Sequence, residues 1–215
     1  MVVAIDGPSG VGKSTVARAV AAALGIPHLN TGSYYRVVTL TCLVAGSDPG
    51  DAAGILAALN GRSIDFGAAG EVLLDGVDVT DRLRAPDVTA AVSEVSAHPE
   101  VRAALVEVQR AWVIAHSGNA VVEGRDIGTV VFPEAPVKIF LTADVAVRAR
   151  RRVRDAEAGG VDLDELAEQI ARRDHLDSSR AISPLRAADD AVIIDTSDIG
   201  APEVVRRVLD LVGKV

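Results

Sequence analysis

The chain has 215 residues, 49% of them apolar but only 3% aromatic, and carries a net charge of −8. That length suits one α/β domain with insertions around a mostly aliphatic core, and the acidic balance argues against general binding to nucleic acid or to anionic membranes. A single cysteine, Cys42, excludes an internal disulfide, and no apolar run is long enough to span a bilayer. A reducing, cytoplasmic setting is expected, with no leader peptide because the first strand begins at Val2.

Val2 to Ile5 is a continuous apolar run, which predicts a buried strand. It leads directly into Gly7-Pro8-Ser9-Gly10-Val11-Gly12-Lys13-Ser14, which fits G-x-x-x-x-G-K-[ST]. Beyond Lys13, the residues Val16, Ala17, Val20, Ala21 and Leu24 recur at helical spacing until Gly25 and Pro27 stop the helix. A strand, a glycine-rich loop and a helix N-terminus together predict a cradle for a nucleoside triphosphate. Glycines let backbone N–H groups turn inward, and the helix end adds unpaired donors and partial positive charge. Lys13 would reach the terminal phosphates, and the Ser14 hydroxyl could hold Mg²⁺.

Ile26 to Leu29 reads as a second short strand. Asn30 and Thr31 can cap a helix from Ser33 to about Val44, in which Cys42 packs. After turn residues 47–51, Ala52 to Leu59 forms a short helix. Arg62–Phe66 and Glu71–Asp75 alternate, and Val77–Val79 adds a third strand to a small antiparallel meander. Pro86 opens a helix over Asp87–Ala97, and Pro99 opens another to about His116, with Trp112 on its apolar side as core. Ala120–Glu123 and Val137–Thr142 return to the parallel-strand pattern. Helices Val145–Ala158 and Leu163–His175, a buried strand Asp190–Asp195 and an amphipathic helix Pro202–Val212 complete the chain. The alternation predicts a doubly wound parallel sheet of about five strands.

Such a sheet binds ligands at the carboxyl ends of its strands. Three polar stretches fall there: Asn30 to Arg36, Glu123 to Asp126, and Asp195 to Asp198. Arg36 and Arg125 are expected to point at the space beside Lys13, where two guanidinium forks suit a second anionic ligand. Arg148, Arg150, Arg151, Arg152 and Arg154 crowd one helix, with Arg148, Arg151 and Arg152 on one face. Followed by Gly159-Gly160 as a hinge, this helix reads as a lid that closes over a transferring phosphoryl group and excludes water. The plainer alternative is a solvated face balanced by Asp155 and Glu157. Arg173, Asp177 and Arg180 share a face, either as a salt-bridged surface turn or as a grip on a sugar hydroxyl beside a phosphate. His28, His98, His116 and His175 show no metal-ligand spacing and are expected to cap or pack. No Ser-His-Asp order is evident, and direct phosphoryl transfer needs none.

Several of these segments resemble the bacterial cytidylate kinase family. They are Ile5-Asp6-Gly7 through Thr15, Gly124-Arg125-Asp126-Ile127-Gly128-Thr129-Val130-Val131-Phe132-Pro133, Ala135 to Leu141, and Arg173-Asp174 through Leu185. The resemblance covers essentially the whole chain, including the strand insert. It implies a P-loop nucleoside-monophosphate kinase of one domain, with a core over 1–30, 99–147 and 161–215, a monophosphate-binding region over 31–98 and a helical lid over 148–160. It implies transfer from ATP to CMP or dCMP with Mg²⁺; together with the reading of the loop and of the arginine helix, ATP is expected at Gly7 to Thr15, Mg²⁺ at Ser14, and catalysis from Lys13, Arg125, Arg148 and Arg151. By the same resemblance Arg36, Arg125 and Arg180 hold the acceptor phosphate, Ser93, Arg102 and Asp126 read the cytosine, and Arg173 and Asp177 meet the sugar, with Thr31 and Tyr35 in the same pocket. A monomer with no nucleic-acid or membrane partner is expected. Two departures stand out: Asn30-Thr31-Gly32 where the family commonly has Asp-Ser-Gly, and Glu123 where it commonly has Asp. The alternatives are a P-loop kinase of another small acceptor (UMP, AMP or a sugar acid) and a nucleotide switch, for which the guanine-reading N-K-x-D segment is missing.

Overall fold

In the computed structural model, residues 1–67, 70–155 and 162–215 are described. The Gly159-Gly160 hinge and the end of the expected lid therefore lie outside the described residues. The chain divides into two compact units, one of Met1–Asn30 with Arg110–Val215 and one of Thr31–Gln109.

The first unit is built on a parallel sheet in the order β2-β6-β1-β7-β8, with β1 at Val2–Asp6, β2 at His28–Asn30, β6 at Ala120–Gly124, β7 at Val137–Thr142 and β8 at Val192–Asp195. Val3, Ala4 and Ile5 are fully buried because β1 is central and covered on both faces. Register pairs Asp6 with Gly124 and Phe140, Asn30 with Glu123, and Thr142 with Asp195. All five carboxyl ends thus reach the same edge. Helices α1 (Lys13–Leu24) and α8 (Ala201–Val212) lay Val16, Val20, Val204 and Val208 against Val3, Ile5, Ile139 and Leu141. Gly25 ends α1 with a φ of 65°, its N–H returning to the Ala21 and Ala22 carbonyls.

Helices α6 (Val145–Asp155) and α7 (Leu163–Ser178) pack through Ala149, Leu166 and Ile170. The expected burial of the last strand is not what is found. β8 is the edge of the sheet, with Val192 and Ile193 exposed and Ile194 turned into the core. An apolar β-branched run reads alike at the centre and the edge of a sheet, and only the strand order separates the two. Trp112 is likewise half-buried instead of core, its ring stacked 3.9 Å from that of His116. Between β6 and β7 the chain makes a π-helical turn, Ile127–Val131, that periodicity did not foreshadow.

The second unit contains α2 (Thr31–Val44), α3 (Ala52–Leu59), α4 (Pro86–Val95) and the start of α5 (Pro99–Ala115). Its antiparallel meander is β3 (Ile64–Phe66), β4 (Val72–Leu74) and β5 (Val77–Asp78), with Ile64 opposite Leu74 and Leu73 opposite Asp78. Val37, Leu40, Val72, Leu83 and Val88 form its core. Cys42 is buried in α2 as expected, its thiol donating to the Ser47 carbonyl at 3.3 Å.

Candidate active site

The loop between β1 and α1 needs its glycines. Gly7 has a φ of 147°, and a Cβ there would stand 2.3 Å from the Leu141 carbonyl oxygen, so no other residue fits. Gly10 and Gly12 also have positive φ, at 81° and 95°. Turns of this kind let successive N–H groups converge on one concavity, an arrangement that binds anions. Among the described residues no side chain caps the start of α1 and its first turn holds no acid, which leaves the helix donors facing that concavity. Thr15 lies exposed on the same turn.

Lys13 is 7% exposed, with its Nζ donating to the Pro8 carbonyl at 2.7 Å. Burial pushes its pKa well below the ordinary lysine value, and the nearby Arg125 and Arg173 push the same way, against the pull of Glu123 and Asp6. A buried cation flanked by arginines is a site whose electrostatics favour an anion.

The Ser14 hydroxyl donates to Glu123 Oε2 at 2.9 Å, and Glu123 Oε1 lies 3.0 Å from His28 Nε2. Glu123 is 2% exposed at the end of β6. Hydroxyl and carboxylate are the hard oxygen donors that Mg²⁺ prefers. Among the described residues no group of three acidic, histidine or cysteine side chains is placed to cage a metal. Two oxygen donors side by side suit an ion that brings phosphate oxygens of its own. Glu123 and His28 were not among the expected site residues; Glu123 stood out only by its place at a strand's carboxyl end and as a departure from the Asp common in the family.

Asp177 is the hub of a second cluster. Its Oδ2 accepts from Arg125 Nε at 3.0 Å and its Oδ1 from Arg180 Nη2 at 2.5 Å, and it is 2% exposed. The spacing set Asp177 with Arg173 and Arg180; the structure shows it accepting from Arg180 and from Arg125, which follows β6. The surface-turn reading is excluded by this burial. Arg125 and Arg173 both act on Lys13 electrostatically, so Lys13, Arg125, Arg173, Asp177 and Arg180 form one charged group.

On α6, Arg148 and Arg151 are not a solvated face. Arg148 is 4% exposed and donates to the Ala143 and Ser9 carbonyls and to Asp174 Oδ2. Arg151 donates to the carbonyls of Val11 and Thr196 and to the Thr196 hydroxyl. Both guanidinium groups thus hold carbonyls of the phosphate loop. A Cβ on Gly10 would lie 3.1 Å from Arg148 Cβ, so the loop packs directly on α6. Asp174 and Thr196 take part in this framework and had not been singled out; Thr196 was visible only as part of the polar stretch after the last strand.

Asp126 is 4% exposed just before the π-helical turn. The carboxylate of Asp6 accepts the N–H groups of Ile127 and Gly128, both at 2.8 Å. Burial drives the Asp6 pKa up to about 6; the two N–H bonds and Lys13 oppose the rise, while Asp126 adds to it.

In the second unit, Thr31, Tyr35 and Arg102 are buried and Ser93 is half-buried. The Arg102 guanidinium sits 5.2 Å over the Tyr35 ring and donates to the Ser96 carbonyl at 3.0 Å. Arg36 donates to the Leu83 carbonyl at 2.7 Å and to the Thr89 hydroxyl at 3.1 Å.

The family model described as cytidylate kinase matches residues 3–214. The cytidylate kinases of Mycobacterium avium and Corynebacterium glutamicum are each 51% identical over 99% of this chain, covering 95% and 94% of their own lengths. That of Carboxydothermus hydrogenoformans is 47% identical over the full chain and 98% of its own. Among solved structures, a shikimate kinase from Bacteroides thetaiotaomicron superimposes with a TM-score of 0.50 at 16% identity, over 99% of this chain and 98% of its own, a likeness of fold alone. Phosphate loop, buried lysine and strand insert agree with a family match that spans almost the whole sequence: the chain belongs to the cytidylate kinase family.

Proposed function

We propose that this protein transfers the γ-phosphoryl group of ATP to CMP or dCMP, giving ADP and CDP or dCDP. The observation that carries the reading is Lys13, buried at the phosphate loop with Arg125 and Arg173 beside it, in a chain of this family. One anion accounts for the loop; the further arginines call for a second. The monophosphate acceptor is already ionised near neutral pH, its second pKa being about 6. An acceptor oxygen attacks the γ-phosphorus, the bond to the β–γ bridging oxygen breaks, and ADP leaves with that electron pair. No general base is required, and catalysis reduces to placing both nucleotides in line and neutralising charge.

The loop amides from Gly7 to Thr15 grip the donor, and Lys13 meets the charge on its terminal phosphates. Arg148 and Arg151 brace the loop and lie at the transferring group. Ser14, oriented by Glu123, would hold Mg²⁺, which when bound neutralises the β- and γ-oxygens. Arg36, Arg125 and Arg180 hold the acceptor phosphate; a guanidinium has five N–H donors, so the bond of Arg125 to Asp177 leaves others for phosphate. Ser93, Arg102 and Asp126 read the cytosine, whose amino donor beside two acceptors suits hydroxyl, carboxylate and guanidinium partners. Arg173 and Asp177 meet the sugar, with Thr31 and Tyr35 alongside. On this reading residues 31–98 serve acceptor recognition, residues 148–160 close the site against water, and the enzyme works as a monomer.

ADP release from Mg-ATP, measured against CMP, dCMP, UMP, AMP and a sugar acid, tests the proposal. A kcat/KM for CMP or dCMP at least about a hundredfold above AMP and the sugar acid is expected where buried polar groups read the base. Preference for AMP or the sugar acid would overturn it.

A further inference from the structure

Asp6 is the last residue of β1 and stands immediately before the phosphate loop. Its carboxylate nevertheless serves another segment. Oδ1 accepts the N–H of Ile127 and Oδ2 that of Gly128, across more than 120 positions of sequence. These two amides directly follow Arg125 and Asp126. They also begin the π-helical turn Ile127–Val131, whose later amides, those of Val130 and Val131, bond back to the Asp126 carbonyl. The first amides of such a turn have no carbonyl within it to reach. Asp6 supplies both acceptors from the neighbouring strand.

The fit is close. Asp6 is 5% exposed, Ile127 is fully buried, and a Cβ on Gly128 would press on the Lys138 side chain at 3.2 Å and approach Asp6 Oδ2 at 3.5 Å. Only a carboxylate offers acceptors on both branches; an amide in its place would set an NH₂ against one of the backbone N–H groups. The burial that raises the Asp6 pKa would select a neutral side chain if packing alone mattered there.

We propose that Asp6 is a positioning residue for the acceptor nucleotide: by clamping the backbone at Ile127 and Gly128, it sets the direction in which Arg125 and Asp126 project. The proposal rests on the reading of Arg125 and Asp126 as acceptor-binding residues. It gives the end of β1 two tasks, launching the donor loop on the main chain and fixing the acceptor loop through the side chain.

The test is Asp6→Asn in the full chain, followed by amide hydrogen exchange and by separate KM values for ATP and CMP. Exchange at Ile127 or Gly128, whichever N–H then faces the NH₂, should accelerate by at least about tenfold, since a buried N–H loses its acceptor. The KM for CMP should rise by at least about tenfold, with that for ATP changing much less. Asp6→Glu keeps the charge beside Lys13 but shifts both acceptors by one methylene, and should show the same split; it also decides the matter if Asp6→Asn does not fold. Unchanged exchange at the two amides, equal rises in both KM values, or wild-type kinetics in Asp6→Glu would overturn the proposal. A wild-type enzyme that ignores CMP would defeat the functional reading while the exchange result still reports on the clamp.

Discussion

The Ser14 hydroxyl lies 2.9 Å from Glu123 Oε2, joining the first turn of α1 to the carboxyl end of β6. The second oxygen of Glu123 is held by His28, so the carboxylate is fixed from both sides. Glu123→Gln keeps the shape and removes the charge. The Mg²⁺ concentration for half-maximal activity should rise by about tenfold or more, the usual loss when an outer partner of a metal ligand is changed. A magnesium titration at fixed ATP measures this, and an unaltered requirement would remove Glu123 from the metal site.

Lys13→Met separates stability from catalysis. The lysine is buried and its pKa is lowered, so its charged form is disfavoured in the fold. The thermal midpoint should hold or rise in the variant, while kcat falls by about 10²- to 10³-fold for loss of a charge aimed at the transferring group. Calorimetry beside steady-state kinetics checks both, and retained turnover would refute the assigned role.

Asp6 makes stability depend on pH. Its pKa in the fold is about 6, against 3.8 ordinarily. The folded state therefore binds this proton more tightly than the unfolded chain. The contribution is fully present below the ordinary value and is lost as pH rises through about 6. Its size is about 3 kcal/mol at most, from ~1.4 kcal/mol per pKa unit. Urea unfolding of wild type and Asp6→Asn from acid to neutral pH should show the difference between them drifting against wild type as pH rises. A constant difference would show that Asp6 does not titrate there.

Asp177→Asn strips the counter-charge from Arg125 and Arg180. Breaking a buried ion pair by removing one partner costs about 3–5 kcal/mol. Because Arg125 retains some solvent contact, with 21% of its side chain exposed, the lower end is expected here. Adding Arg180→Met should recover part of the loss in urea midpoint without restoring the KM for CMP. Full recovery of CMP binding would mean that Arg180 does not hold the acceptor.

The donor side of the site was readable because it is local. Gly7 to Ser14, the strand before it and the helix after it are contiguous, and periodicity with glycine spacing carries all three. Arg125 and Arg180 were singled out by their places after a strand and on a helix face, but their shared partner Asp177 joins segments that no local pattern links. What stayed hidden were partners drawn from different elements: His28 for Glu123, Asp174 for Arg148, Thr196 for Arg151, and Asp6 for Ile127 and Gly128.

By itself the sequence determined the class of fold, the phosphate loop and the parallel alternation of strands and helices, because these rest on backbone propensity and on patterns within a few residues. Only the tertiary structure decided strand order and register. That order made β8 an edge, brought Arg125 to Asp177 from a distant part of the chain, and turned the arginines of α6 onto the carbonyls of the loop. The physical reason is distance. A hydrogen bond or ion pair between residues a hundred positions apart leaves no period in the chain, and exists only once the sheet has set which strand ends meet.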